Sequence, residues 1–237
     1  MELESTSARA AIDGAGAYRF GFWIAVAVAA LTAGTFALAM AALPDKVPYP
    51  FTNHVIAAQW PRDYLWMYPA MLLMLLFVAL VAAVHVCAPP ARRVFSLLGL
   101  CIAVAATAVL LIDYYLQVSI MQTSLEKGQL DGWSMLTMYN PNGVFIALEE
   151  LGYLLMSIVF LCLARVFVGK TGVERALRWL LSASFAASIL ALVVVSAVRG
   201  IDRGDTFEII VISIVWLTLI AAGILIALVF RRGARSD

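Results

Sequence analysis

Apolar residues recur along the chain in six runs, at about 20–43, 63–87, 94–121, 142–167, 176–198 and 207–230. Each is long enough to cross a hydrocarbon core of about 30 Å, which takes about 20 helical residues. No water satisfies backbone groups inside lipid, so every run is predicted to be helical. Pro61, Pro141 and the polar stretches "APPARR", "GKTGVER" and "RGIDRGD" separate the runs. Proline suits a first helical turn and cannot continue the helix before it. No Pro/Ser-rich linker or low-complexity tract divides the chain. The pattern predicts an all-α polytopic membrane bundle of six transmembrane helices, one domain over residues 1–237.

Composition agrees with the pattern: 64% of the residues are hydrophobic and 13% are charged, which places the chain outside the soluble classes. Charge adds a direction. Of the 16 Lys and Arg, those at the amino terminus, the second and fourth connections and the carboxyl terminus outnumber the rest, which are Lys46, Arg62, Lys127, Arg199 and Arg203. By the positive-inside rule both termini are expected in the cytoplasm, in a multi-pass protein of the inner (cytoplasmic) cell membrane with membrane lipids as its surroundings. A formal net charge of +1 gives no case for nucleic-acid binding. The first run exceeds a signal-peptide core, and Glu2, Glu4 and Asp13 dilute the positive charge before it, so a retained helix is expected. Cys87, Cys101 and Cys162 all map to the cytoplasmic half. They suggest neither a disulfide framework nor a metal site.

Two outer connections are long. Residues 44–62 are rich in proline and aromatic residues, and 122–140 place Leu130, Trp133, Leu136 and Met138 roughly on one face of a short helix. Both are expected to lie on the membrane surface, as an interfacial aromatic belt or as a lid over a site. His54 reads as a surface imidazole.

Candidate chemistry sits just inside that surface. In "YNPNGVFIALEELGYLLMS", at 139–157, Asn140 is the expected cap and Pro141 the first helical residue. Glu149 then lies about 12 Å down at about 1.5 Å per residue. Asp113, about eight residues before the outer end near Met121 in the antiparallel third span, reaches the same depth. Tyr68 comes about 10 Å into the second span by the same rise, followed by a possible kink at Pro69. Asp113 pairs with Gln117 at helical spacing, and Glu149 with Tyr153; Glu150 shares a face with Tyr153 and Ser157. Adjacent residues on a helix diverge by about 100°. Glu149 and Glu150 are therefore expected to face different neighbours, one the bundle centre.

An ionised acid at a helix centre costs about 2.5–3.5 kcal/mol. The spans offer no Lys or Arg at that depth, and the nearest cations expected are Arg62 and Arg199 at the outer interface. A proton on at least one carboxyl, or a bound cation, is the expected neutraliser. The candidate catalytic groups are accordingly Asp113, Glu149 and Glu150, with Tyr68, Gln117, Tyr153 and Arg62 as candidate ligand-binding groups. Tyr114, Tyr115 and Trp66 read as packing or belt residues. Buried carboxyls can also serve only as hydrogen-bonding glue between helices.

The stretches "PRDYLWMYP" at 61–69, "IDYYLQ" at 112–117 and "YNPNGVFIALEELGYLLMS" at 139–157 resemble an uncharacterised group of bacterial six-span membrane proteins of similar length. The resemblance covers roughly residues 50–170. It implies a six-span fold and a bacterial origin, and no mechanism. No retinal-type lysine, paired intramembrane histidines or Gly-rich phosphate loop occurs, so no cofactor or metal is implied. Three uses remain open. A lipid- or isoprenoid-type ligand could meet acid chemistry from a protonated carboxyl, with that hydrophobic molecule as partner. A small transporter could carry a proton or cation. A structural or sensory subunit would use the carboxyls for packing alone.

Overall fold

The computed structural model describes residues 2–42, 58–129 and 131–235, with side chains from residue 15 onward apart from that of residue 125. Six helices long and apolar enough to cross a membrane account for most of them. They are α1 (Glu2–Ala41), α2 (Met67–Val86), α3 (Arg93–Leu116), α4 (Val144–Ala164), α5 (Gly172–Arg199) and α6 (Thr206–Gly233). No strand occurs among the described residues. The protein is an all-α polytopic membrane bundle.

The helices pack in chain order. Each of α1 to α5 lies against the next, α6 closes the ring on α1, and α4 also meets α6 directly. That extra contact leaves α5 outside the α4–α6 seam. The most hydrophobic window of α4 is 56% buried, against 22% for α5, so the helix bearing the paired glutamates is the one most enclosed by protein. Small residues permit this closeness, as expected where lipid supplies no hydrophobic drive. A Cβ added at Gly152 would stand 2.5 Å from Leu110 of α3, and one at Gly223 would stand 2.9 Å from the Ala29 Cβ of α1.

Local sequence explains the helix ends. Thr171 caps α5, its Oγ1 accepting from the Glu174 amide at 3.2 Å. Gly200 and Gly204 adopt φ of +63° and +54° in the connection from α5 to α6, a region that costs glycine little. Pro69 is the third residue of α2, in its first turn, where its missing N–H breaks no intrahelical bond.

Beyond Leu116, α3 continues as a π-helical turn, Gln117–Met121, and a short α-helix, Gln122–Glu126. The connection that follows differs from expectation. Trp133 and Met138 do not lie on a short helix, because Gly128 and Gly132 take φ of +66° and +75° and break the helical path. Leu136 is exposed, while Trp133, Thr137, Tyr139 and Asn140 are buried. The Trp133 indole donates to the Met121 carbonyl at 3.3 Å, and the Tyr139 hydroxyl to Asp63 Oδ2 at 2.9 Å. These bonds tie the connection down over the ends of α2 and α3. Leu130, His54 and most of the 44–62 connection lie outside the described residues.

The start of α4 is also shifted. Asn140 is not its cap, because the side chain is used elsewhere. Its Nδ2 donates to the Ser134 carbonyl at 2.6 Å and its Oδ1 accepts the Asn142 amide at 3.0 Å, closing a turn around Pro141. Gly143 takes the cap position. A side chain there would meet three backbone carbonyls at 3.0–3.2 Å. Glu149 therefore lies about 9 Å along the helix from its cap, about 3 Å shallower than expected.

Candidate functional site: a carboxyl cluster beside a cleft

Three helices deliver carboxyls to one place. Asp113 comes from the last turn of α3, Glu149 from the second turn of α4 and Glu208 from the first turn of α6. Asp113 and Glu149 are buried. The Glu149 carboxyl neighbours Asp113, Gln117 and Glu208. Gln117, one turn after Asp113, donates from Nε2 to Asp113 Oδ1 at 3.2 Å. Asp113 Oδ2 and Gln117 Oε1, both buried, have no hydrogen-bond partner. Carboxyl oxygens only accept unless protonated, so the cluster as built contains more acceptors than donors.

Glu150 leaves the helix toward a different neighbour. Its Oε2 receives Arg203 Nη2, from the connection between α5 and α6, in a direct ion pair. Arg203 also stands over the Phe207 ring, 5.6 Å from its centroid, and its Nη1 lies 3.5 Å from Ser196 Oγ. The cation serving this region is thus Arg203, rather than the Arg62 or Arg199 expected from depth alone. Arg62 stays at the surface, its side chain half exposed and held by Gln59 and Asp63.

Beneath the carboxyls lies an aromatic layer. The Tyr114 and Tyr153 hydroxyls are 2.6 Å apart, and the Trp216 indole donates to Tyr153 Oη at 2.9 Å. All three side chains are fully buried. Trp66 packs edge-on against Tyr114 and Trp216 at 5.3 and 5.9 Å, and Phe36 against Trp216 at 5.8 Å. About two turns deeper the bundle is closed by apolar side chains, among them Phe77 against Phe160 with centroids 6.2 Å apart. Towards the α2–α3 end, His85 Nδ1 meets Ser96 Oγ at 2.9 Å.

Beside the cluster, on the Glu150 side of α4, the molecule is open. A cleft of about 460 Å³ lies between the start of α4 and the turn from α5 to α6, with Glu150 and Arg203 among its walls. Glu208 is partly exposed.

Of the residues singled out from sequence, Asp113, Glu149, Gln117 and Tyr153 come together, and Glu150 stands beside them in the cleft. Tyr68 does not join them. It is 47% exposed on the outer surface of α2, because the residue that points inward at that level is Met67. Tyr114 belongs to the hydroxyl network instead of the belt. Glu208 and Arg203 were not anticipated; the signal available was Glu208 three residues after Asp205, in the first turn of a span. Among the described residues no group of three His, Cys, Asp or Glu side chains, the carboxyl cluster included, is placed to hold a metal ion. No known protein family matches the chain, and no curated protein or solved structure is similar to it.

Proposed function

We propose that the Asp113–Glu149–Glu208 cluster holds a proton and exchanges it with the outer side, as the coupling site of a small proton-linked membrane transporter. The observation that carries this reading is Asp113 Oδ2, a buried carboxyl oxygen beside Glu149 with no donor. A proton on Glu149 supplies the missing donor and removes the repulsion between neighbouring carboxylates. Glu208, partly exposed, links the pair to solvent above. The Tyr114–Tyr153–Trp216 layer and the apolar side chains below it close the opposite direction, as one state of an alternating path requires.

Acid chemistry on a lipid- or isoprenoid-type ligand is the other use for such a proton. Transport is favoured because Glu208, at the start of α6, is partly exposed, and because Tyr68 turns away from the cluster. With Lys and Arg concentrated at the opposite end, the cleft side is read as the outer face of a bacterial inner membrane. The test is infrared difference spectroscopy of the purified protein on exchange into heavy water. A carboxylic-acid carbonyl band at neutral pH that shifts on exchange is expected, is lost in Glu149→Gln and persists in Glu150→Gln. Absence of any such band in the wild type refutes the reading.

A further inference from the structure

We infer that the outer cleft binds a small organic cation, an alkylammonium or guanidinium group with a short hydrocarbon portion, on the free oxygen of Glu150. Glu150 is 6% exposed, and its two oxygens differ. Oε2 receives Arg203, whereas Oε1 is buried without any partner. A carboxylate offers about four acceptor positions, so one guanidinium leaves it under-satisfied. An orphaned buried acceptor is costly, and a small rotation of the carboxyl toward the cleft brings it to an incoming donor.

The charge of the cleft points to the same class. Its titratable lining side chains are Glu150, Asp202 and Arg203, two carboxylates against one guanidinium. One further positive charge balances them. The remaining walls include Ile146, Ala147 and Ile201, which suit an alkyl segment and give no purchase to a bare inorganic ion. The volume of about 460 Å³ falls within the range of about 300–1,000 Å³ usual for small-molecule sites. Arg203 shows that the Glu150 carboxylate accepts a nitrogen cation here. This inference rests on the cleft and on Glu150, and holds whether or not Glu149 carries a proton.

Isothermal titration of the purified full chain in detergent with n-butylammonium chloride tests it, with sodium chloride and n-butanol titrated in parallel. Saturable binding of n-butylammonium alone is expected, weakened at least tenfold in Glu150→Gln and severalfold in Asp202→Asn. Asp202 is exposed, so its variant remains informative if Glu150→Gln fails to fold. No saturable binding of n-butylammonium, equal binding of sodium or butanol, or binding that Asp202→Asn leaves unchanged overturns the inference.

Discussion

Glu149 and Glu150 are joined by a peptide bond, yet they serve different partners. Glu149 turns to Asp113, Gln117 and Glu208 inside the bundle, while Glu150 turns to Arg203 at the cleft. The divergence follows from the rotation of about 100° per helical residue. One carboxyl is thereby matched to a fixed guanidinium and the other is left among acids, so substitutions at the two positions should have unlike consequences.

Removing the cation should hurt more than removing the pair. Arg203→Ala leaves Glu150 without a donor on either oxygen and is expected to destabilise the fold by about 1–3 kcal/mol, discounted toward the lower end because the guanidinium is one-third exposed. Adding Glu150→Gln to that variant should restore part of the loss. Unfolding in a denaturing detergent series measures both. Equal stability of Arg203→Ala and wild type would show that the ion pair does no structural work.

The aromatic layer makes a second, graded prediction. Tyr153→Phe strips the acceptor from Trp216 and the partner from Tyr114 at once, whereas Tyr114→Phe removes a single bond. Polar contacts between membrane helices are worth about 0.6 kcal/mol on average and up to about 1.7. Tyr153→Phe is expected to cost about twice what Tyr114→Phe costs, read from the same unfolding series together with Trp fluorescence.

Close packing of α3 on α4 is testable through one methyl group. A Cβ at Gly152 falls 2.5 Å from Leu110 Cγ, so Gly152→Ala forces the helices apart at a cost of about 1–3 kcal/mol. Leu110 is one turn from Asp113, and Gly152 one turn from Glu149. The same change should therefore alter the carboxylic-acid infrared band, and Leu110→Ala in the Gly152→Ala background should bring it back.

Tyr139 gives the alkaline limb. Burial, with the neighbouring Tyr64 and Asp63 adding to it, holds its phenol well above the ordinary value of about 10. The folded state keeps this proton longer than the unfolded chain does. The associated stability is complete below about pH 10 and falls as pH rises through that value. Tyr139→Phe should lower stability at neutral pH, by leaving Asp63 Oδ2 without its phenol donor, and should flatten the alkaline decline. A pH series of thermal unfolding for both proteins reads the two effects.

The six helices, and the meeting of Asp113 with Glu149, were legible in the sequence because run length and helical rise are local properties. The i, i+4 bond between Asp113 and Gln117 followed from the same rule. Tyr68 was misplaced because α2 is apolar around its whole circumference, which leaves no stripe to mark the inward face. Arg203 and Glu208 were missed because their partners lie 53 and 59 residues away in the chain. Only the turn made by Gly200 and Gly204 returns them to α4. Asn140 looked like a cap because its residue type suits one; the neighbouring Ser134 carbonyl and Asn142 amide took its side chain first.

The enclosure of α4 bears on how the chain enters the bilayer. It has the lowest mean hydropathy of the six spans, 2.0 against 2.9 for α6, and its two glutamates have no counter-charge within their own helix. Leaving the translocon alone, this segment would meet lipid with both acids unmatched. Arg203 and Glu208 are made only afterwards, at the end of the chain. Within the bundle, α4 therefore gains its partners from the α5–α6 hairpin, which is synthesised after it.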